Sequence, residues 1–198
     1  AIAARDALSA EIALMPTGDP RHRSSARATA DQRIAMLNLA IAGLPHLSVD
    51  AREIYRQGAS YTFDTLSELR AELGEHQPLA MIVGQDAFAG FPTWYRWREI
   101  FDLAHVVVAT RPPPVDMPDD LITVLAERQV NTVQALHCQP AGTIWAMSIP
   151  PHPASSSEIR RRCESGLAFD EWLAPAVAEF IVEQGLYGYA CSEPTQGV

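Results

Sequence analysis

The sequence predicts an α/β fold, a parallel sheet with helices on both faces. Three observations predict it. Short apolar or β-branched runs alternate with segments of helical period along the whole chain. Glycine, proline and capping residues fall at the ends of these segments rather than inside them. The chain has 198 residues, 47% of them apolar, enough to bury roughly 70% of the surface an unfolded chain exposes. Strands separated by helices pair in parallel through right-handed crossovers.

Residues 2–8 read as the end of a helix. Residues 12–15 are a short apolar strand, stopped by the turn-rich Pro16-Thr17-Gly18-Asp19-Pro20. Thr29 opens a helix with Gln32 as its capping-box partner. Ile34, Leu37 and Ile41 are its apolar face, and Gly43 ends it. Residues 47–49 form a strand. Thr62 caps the next helix, with Phe63, Leu66, Leu69 and Leu73 at helical spacing before Gly74. Residues 79–83 are a buried strand that runs into Gly84-Gln85-Asp86. Pro92 opens a helix to about Leu103, and 105–109 are a β-branched strand ended by Arg111-Pro112. A helix over 121–128 and a strand over 144–149 follow, with 112–119 as an exposed loop. Ser155 with Glu158 is a second capping box, opening a helix through Cys163. Pro175 starts the last helix, which ends at Gly185. Residues 1–190 are expected to make one domain and 191–198 a loose tail.

The net charge is −9, and all fifteen cations are arginine. Schiff-base and lysine-nucleophile chemistry are excluded. An acidic chain is a poor general binder of nucleic acid or of anionic membrane. Any phosphate must be held locally, by arginine, histidine or backbone N–H groups. Cys138, Cys163 and Cys191 have no C-x-x-C spacing, so reduced thiols in a cytoplasmic protein are expected, with no metal site. No apolar run approaches the ~18 residues of a membrane span, and Arg5 and Asp6 interrupt any leader-like start. The pattern carries no signal for monomer or homo-oligomer.

Parallel sheets bind ligands at the carboxyl ends of their strands. That rule selects 16–23, 84–86, 110–111 and 155–160. His22 and Arg23, beside Arg21 and Arg27, form either a solvated basic loop or a phosphate-reading fork. Ser155-Ser156-Ser157-Glu158-Ile159-Arg160 is either an N-cap before an exposed arginine face or an anion site. In the second case hydroxyls, free N–H groups and the helix dipole converge within reach of Arg160. Gly84-Gln85-Asp86 is either a turn with Asp86 capping a helix or a place where a ligand approaches the Gly84 backbone. Asp86 would then accept from ribose hydroxyls. The absence of G-x-G-x-x-G gives no support to hydride transfer from a dinucleotide.

Phe91-Pro92-Thr93-Trp94-Tyr95-Arg96-Trp97 is strongly aromatic. Trp97, Ile100 and Phe101 read as core. Trp94, near a helix start, is placed to stack on a planar ring. Ser60-Tyr61-Thr62 is a helix start able to present N–H groups to a carboxylate. His137 and Cys138 read as structural, His46, His76 and His105 as loop or strand-edge residues for which the sequence shows no pairing, and His152 has no assigned role. No Ser-His-Asp set or carboxylate pair is legible.

These blocks, with Met15-Pro16, Arg33, Met36-Leu37, Asp64-Thr65-Leu66, Ile82-Val83, Arg111-Pro112 and Leu186-Tyr187, resemble bacterial nicotinate-nucleotide adenylyltransferases over most of the chain. The serine block is common to many adenylyltransferases, whereas the Trp94 block and Ser60-Tyr61-Thr62 are more diagnostic. The resemblance implies a Rossmann-like nucleotidyltransferase fold, ATP and nicotinate mononucleotide as substrates, deamido-NAD and pyrophosphate as products, and Mg2+. It implies that Trp94 stacks on the pyridine ring and that N–H groups at Thr62 and Tyr95 bind its carboxylate. Asp86 would contact the nucleotide sugar, and Arg111 would belong to the same substrate side. His22, Arg23, Ser156 and Arg160 would hold ATP phosphates or adenosine, with Gly84, Ser155 and Ser157 also on the ATP side. Related enzymes acting on nicotinamide mononucleotide or phosphopantetheine share the serine block but do not predict Trp94 and the helix start at 60–62. A degenerate nucleotide-binding module is the non-enzymatic alternative. The family's N-terminal G-x-F-D-P-x-H-x-G-H segment has no counterpart, Arg21 stands where proline is usual, and Ala154 replaces a usual isoleucine. The expectation is a longer natural chain, because a sheet without the segment's strand has two unpaired interior edges.

Overall fold

The computed structural model describes residues 1–18, 28–149 and 154–189. They fall into two compact units. One comprises the described residues of 10–57 and 152–198, the other those of 2–9 and 58–151.

In the first unit β1 (Ile12–Leu14) pairs in parallel with β2 (Leu47–Val49), Ile12 opposite Leu47. Between them runs α2 (Ala30–Ile41), following α1 (Ile2–Leu8) of the other unit. The Thr29 capping box is fully formed: Thr29 Oγ1 accepts from Gln32 N at 3.2 Å, and Thr29 N donates to Gln32 Oε1 at 2.8 Å. The expected face of α2 is corrected. Ile34, Leu37 and Ile41 are only half-buried, while Met36 and Leu39 pack on the unit's core. That core is Ala28, Cys163, Phe169, Val177, Ala178, Ile181 and Leu186. It joins α9 (Ser156–Glu164) and α10 (Pro175–Glu183), the latter opened by proline as expected. The short α3 (Arg52–Tyr55) was not legible in the sequence.

The second unit holds a four-stranded parallel sheet in the order β3-β4-β6-β5, made of β3 (Ala80–Gly84), β4 (His105–Thr110), β5 (Gln129–Val130) and β6 (Ile144–Ser148). Gly84 stands opposite Ala109, and Thr110 opposite Ser148. Flanking helices are α4 (Thr62–Leu73), α5 (Gln85–Ala89), α6 (Ile100–Leu103), α7 (Asp119–Arg128) and α8 (Gln134–His137). Phe88, Phe91, Ile100, Phe101, Val106, Leu121 and Ile144 form its core. Burying an aromatic such as Phe91 completely removes enough apolar surface that its truncation would cost ~3–5 kcal/mol.

Several expectations are corrected here. The strand at 80–84 is not buried: Ile82 is 36% exposed, because β3 pairs only with β4 among the described strands. Thr62 is the first helical residue of α4, not its cap. Tyr61 holds the extended cap conformation without a side-chain bond. Leu73 is 46% exposed, since it is the last residue of α4 and lies outside the core cluster. The single helix from Pro92 is three pieces: 3₁₀ turns over Phe91–Thr93 and Trp97–Glu99, then α6. Extended backbone at Trp94 and left-handed backbone at Arg96 interrupt it.

His105, read as a loop or strand-edge residue with no pairing visible in the sequence, is a core residue with partners. It is fully buried, Thr143 N donates to its Nδ1 at 3.1 Å, and its Nε2 lies 2.8 Å from Gln139 O. These partners require the neutral ring with the proton on Nε2. Burial pushes its pKa down. His46 likewise has a partner, Glu11, at 2.6 Å. Arg70 joins distant segments by donating to the carbonyls of Leu103, Gly74, Gln77 and Pro140.

Candidate active site

In the second unit, β3 ends at Gly84 and α5 begins at the next residue. Asp86 therefore sits in a first helical turn, where the dipole favours a carboxylate. At the adjacent end of β4, the Arg111 guanidinium donates to Asp86 Oδ2 at 3.3 Å. Both side chains remain more than half exposed, so the pair contributes little to stability and leaves polar edges open to a ligand. Gln85 holds the two segments together. Its buried carboxamide donates to Arg111 O at 2.6 Å and Pro113 O at 2.9 Å, and accepts from Arg111 N at 3.2 Å. The sequence reading assigned Gln85 no role. The available signal was a polar residue immediately after a strand-ending glycine.

The predicted carboxylate readers lie in this unit too. The first helical bond of α4 runs from Thr65 N to Tyr61 O, so the N–H groups of Thr62, Phe63 and Asp64 have no acceptor within the helix. In the 91–97 segment, Trp94 N donates to Phe91 O and Trp97 N to Trp94 O. Among the described residues the N–H of Tyr95 donates to no backbone carbonyl. The rings of Tyr61 and Tyr95 are 4.7 Å apart, which sets the two N–H-bearing segments side by side. Trp94 is half-buried, with one side on Phe91 at 4.9 Å between centroids.

The first unit carries the serine block. Ser155 caps α9 from an extended backbone, and its Oγ accepts from Glu158 N at 3.1 Å. The second capping box is only half formed, a correction. The Glu158 carboxylate turns instead to Arg161 Nε at 2.8 Å and Arg162 Nε at 3.1 Å. These cations, Arg161 first, hold the Glu158 pKa down at about 2. Ser156 and Ser157 are exposed in the first turn, and Arg160 Nη2 donates to Ser157 Oγ at 3.3 Å. The Arg160 guanidinium thus lies at the start of α9, against the sign of the dipole, a placement that favours an anion there. Tyr187 packs near α9, with its hydroxyl 3.9 Å from Met36 Sδ, and burial pushes its phenol pKa up. His22, Arg23, His152 and Cys191 lie outside the described residues. Among the described residues no group of three His, Cys, Asp or Glu gathers as a metal site would require, and no helix is long and apolar enough to cross a membrane.

The cytidylyltransferase-like family matches residues 1–162. A probable nicotinate-nucleotide adenylyltransferase of Marinobacter nauticus is 42% identical over 188 residues, covering 94% of this chain and 85% of the relative. One of Stenotrophomonas maltophilia is 42% identical over 193 residues, covering 93% and 87%. The chain belongs to the nicotinate-nucleotide adenylyltransferase family. It is accordingly a nucleotidyltransferase, as the sequence resemblance implied. A Plasmodium falciparum nicotinic acid mononucleotide adenylyltransferase complexed with APC aligns at a TM-score of 0.61 and 13% identity, covering 91% of this chain and 83% of that one. The same parasite enzyme complexed with NaAD gives 0.61 and 12%. At such identity the likeness establishes the nucleotidyltransferase fold. In this chain the Thr62 and Tyr95 segments and the Asp86–Arg111 pair belong to one unit, and the serine block to the other.

Proposed function

We propose that this chain transfers AMP from ATP to nicotinate mononucleotide, giving deamido-NAD and pyrophosphate. The observation that carries the substrate assignment is the Tyr61–Tyr95 ring contact, which brings the start of α4 and the Tyr95 segment together beside a half-buried indole. Two N–H groups with no backbone acceptor among the described residues suit a carboxylate, and Trp94 suits the attached flat ring. Asp86 accepts from the nucleotide sugar and Arg111 faces the same substrate. Ser155, Ser156, Ser157 and Arg160 serve the triphosphate, with Gly84 as an open backbone position. By the sequence resemblance His22 and Arg23 join them.

An oxygen of the mononucleotide phosphate attacks the α-phosphorus of ATP in line. The new P–O bond forms as the bond to the bridging β-phosphate oxygen breaks, and pyrophosphate leaves with that electron pair. No protein nucleophile is required. The chain's groups orient the reactants and stabilise growing negative charge. Mg2+ enters as part of the MgATP substrate. The free thiols of Cys138 and Cys163 suit a reducing, cytoplasmic setting.

The test is pyrophosphate release with MgATP and, in turn, nicotinate mononucleotide, nicotinamide mononucleotide and phosphopantetheine. Losing one charge-assisted contact costs ~1.5–3 kcal/mol, so the amide should be used about one to two decades less well. Release with the amide or phosphopantetheine but not with the acid would reassign the substrate. ATP binding without turnover would mark a degenerate module.

A further inference from the structure

Arg96 has φ 53 and ψ 36, a left-handed backbone that a long side chain rarely adopts. Two contacts hold it there. Its guanidinium carbon lies 3.7 Å from the centroid of the Phe63 ring, a cation–π stack. Its edge forks onto the Glu99 carboxylate, Nε to Oε1 at 2.7 Å and Nη2 to Oε2. The hydrogen bond from Arg96 pulls the Glu99 pKa below its ordinary value. Chain position gives these contacts a consequence. Arg96 directly follows Tyr95, and Phe63 directly follows Thr62. One side chain therefore links the two segments whose N–H groups face the acid of the substrate. The Tyr95 ring also meets Phe63 edge-on at 6.2 Å, so the linkage is packed as well as charged.

We propose that Arg96 is a positioning residue for acid recognition: stacked on Phe63 and forked onto Glu99, it fixes the spacing between the Thr62 and Tyr95 N–H groups and thereby sets the preference for a pyridine carboxylate over a carboxamide. The inference rests on the nicotinate mononucleotide reading and adds a residue to it. Spacing matters because the two ligands differ in what a pair of donors meets. A carboxylate offers an acceptor oxygen to each N–H, whereas a carboxamide offers one oxygen and turns an NH2 donor toward the other. Hydrogen bonds weaken steeply once distance or angle departs from the optimum, so selectivity is lost when the segments drift apart.

The experiment compares wild type with Arg96→Ala, Arg96→Gly and Glu99→Gln, measuring KM for both mononucleotides and for ATP, thermal stability, and amide hydrogen exchange over the segment containing residues 94–96. Glycine accepts the left-handed backbone without strain, so Arg96→Gly separates the conformation from the brace. The expected result is a rise on the order of tenfold in KM for nicotinate mononucleotide in all three variants, equivalent to one charge-assisted contact. KM for ATP and thermal stability stay near wild type, the acid-to-amide ratio narrows, and exchange near Tyr95 quickens. An Arg96→Gly variant with wild-type KM for the acid and unchanged exchange would overturn the proposal, as would equal rises for ATP and the acid. A wild-type protein that does not use the acid at all overturns the underlying reading instead, and that outcome is distinguished by the wild-type assay alone.

Discussion

Replacing Gln85 tests how the ends of β3 and β4 are held in place. Its carboxamide is buried and makes three bonds to the backbone of the 111–113 segment. At about 0.5–1.5 kcal/mol net for each bond, the sum is roughly 1.5–4.5 kcal/mol. Arg111, Pro112 and Pro113 are exposed, so water recovers part of this in a Gln85→Ala variant, and a loss of about 1–3 kcal/mol is expected. For a chain of this size that lowers Tm by roughly 2–12 °C. Gln85→Glu is the sharper variant. It keeps the shape and the acceptor for Arg111 N, but points a carboxylate oxygen at two carbonyls that now receive the amide N–H groups. Gln85→Glu at neutral pH should be at least as destabilised as Gln85→Ala, and both should raise KM for the mononucleotide because Arg111 is no longer held beside Asp86. Thermal melts followed by steady-state kinetics read both effects. A Gln85→Glu protein with the wild-type Tm would show instead that volume and not hydrogen bonding sets the cost.

Trp94→Ala should weaken nicotinate mononucleotide far more than ATP, by roughly 1–3 kcal/mol if ring stacking carries the contact. Equal losses for both ligands in titration calorimetry would reduce Trp94 to its packing on Phe91. Arg160→Ala should raise KM for ATP and leave pyridine binding nearly intact, and unchanged ATP kinetics would remove Arg160 from the site. Burial holds the His105 pKa below its ordinary 6.5, so below about that pH the unfolded chain takes up a proton that the native chain does not. The His105 contribution to stability is therefore full above pH 6.5 and declines as the pH falls. Urea midpoints from about pH 8 to about pH 5 should show this decline in wild type and a flatter profile in His105→Gln. Identical profiles would contradict the neutral assignment.

Much of the fold was legible because local chemistry and tertiary structure agree. Thr29 with Gln32 announced the start of α2, Gly74 and Pro175 marked helix ends, and the β-branched run of β4 lies where its pattern put it. The failures share a cause: a side chain's partner lies far away in the chain. The bonds of His105 to Gln139 and Thr143, and of Gln85 to Arg111 and Pro113, have no local signature. The 91–103 segment reads as one helix from Pro92 and its apolar spacing, but Arg96 turns left-handed where Phe63 and Glu99 hold it. Glu158 is the exception, a failure of local competition: at capping-box spacing from Ser155, it binds Arg161 and Arg162, three and four residues on, instead. Of the candidate site, the helix start at Thr62, the indole of Trp94 and the serine block could be picked out by residue type and position. The contact of Tyr61 with Tyr95, which brings the two N–H-bearing segments together, needed the structure.

The most direct test is a proton–nitrogen correlation titration of the backbone amides with nicotinate mononucleotide and, separately, its amide analogue. The acid should move the Thr62 and Tyr95 signals strongly and downfield, as new hydrogen bonds to a carboxylate do, and the amide should move them far less. Saturable binding of the acid that leaves both signals in place would show that these N–H groups do not read the carboxylate.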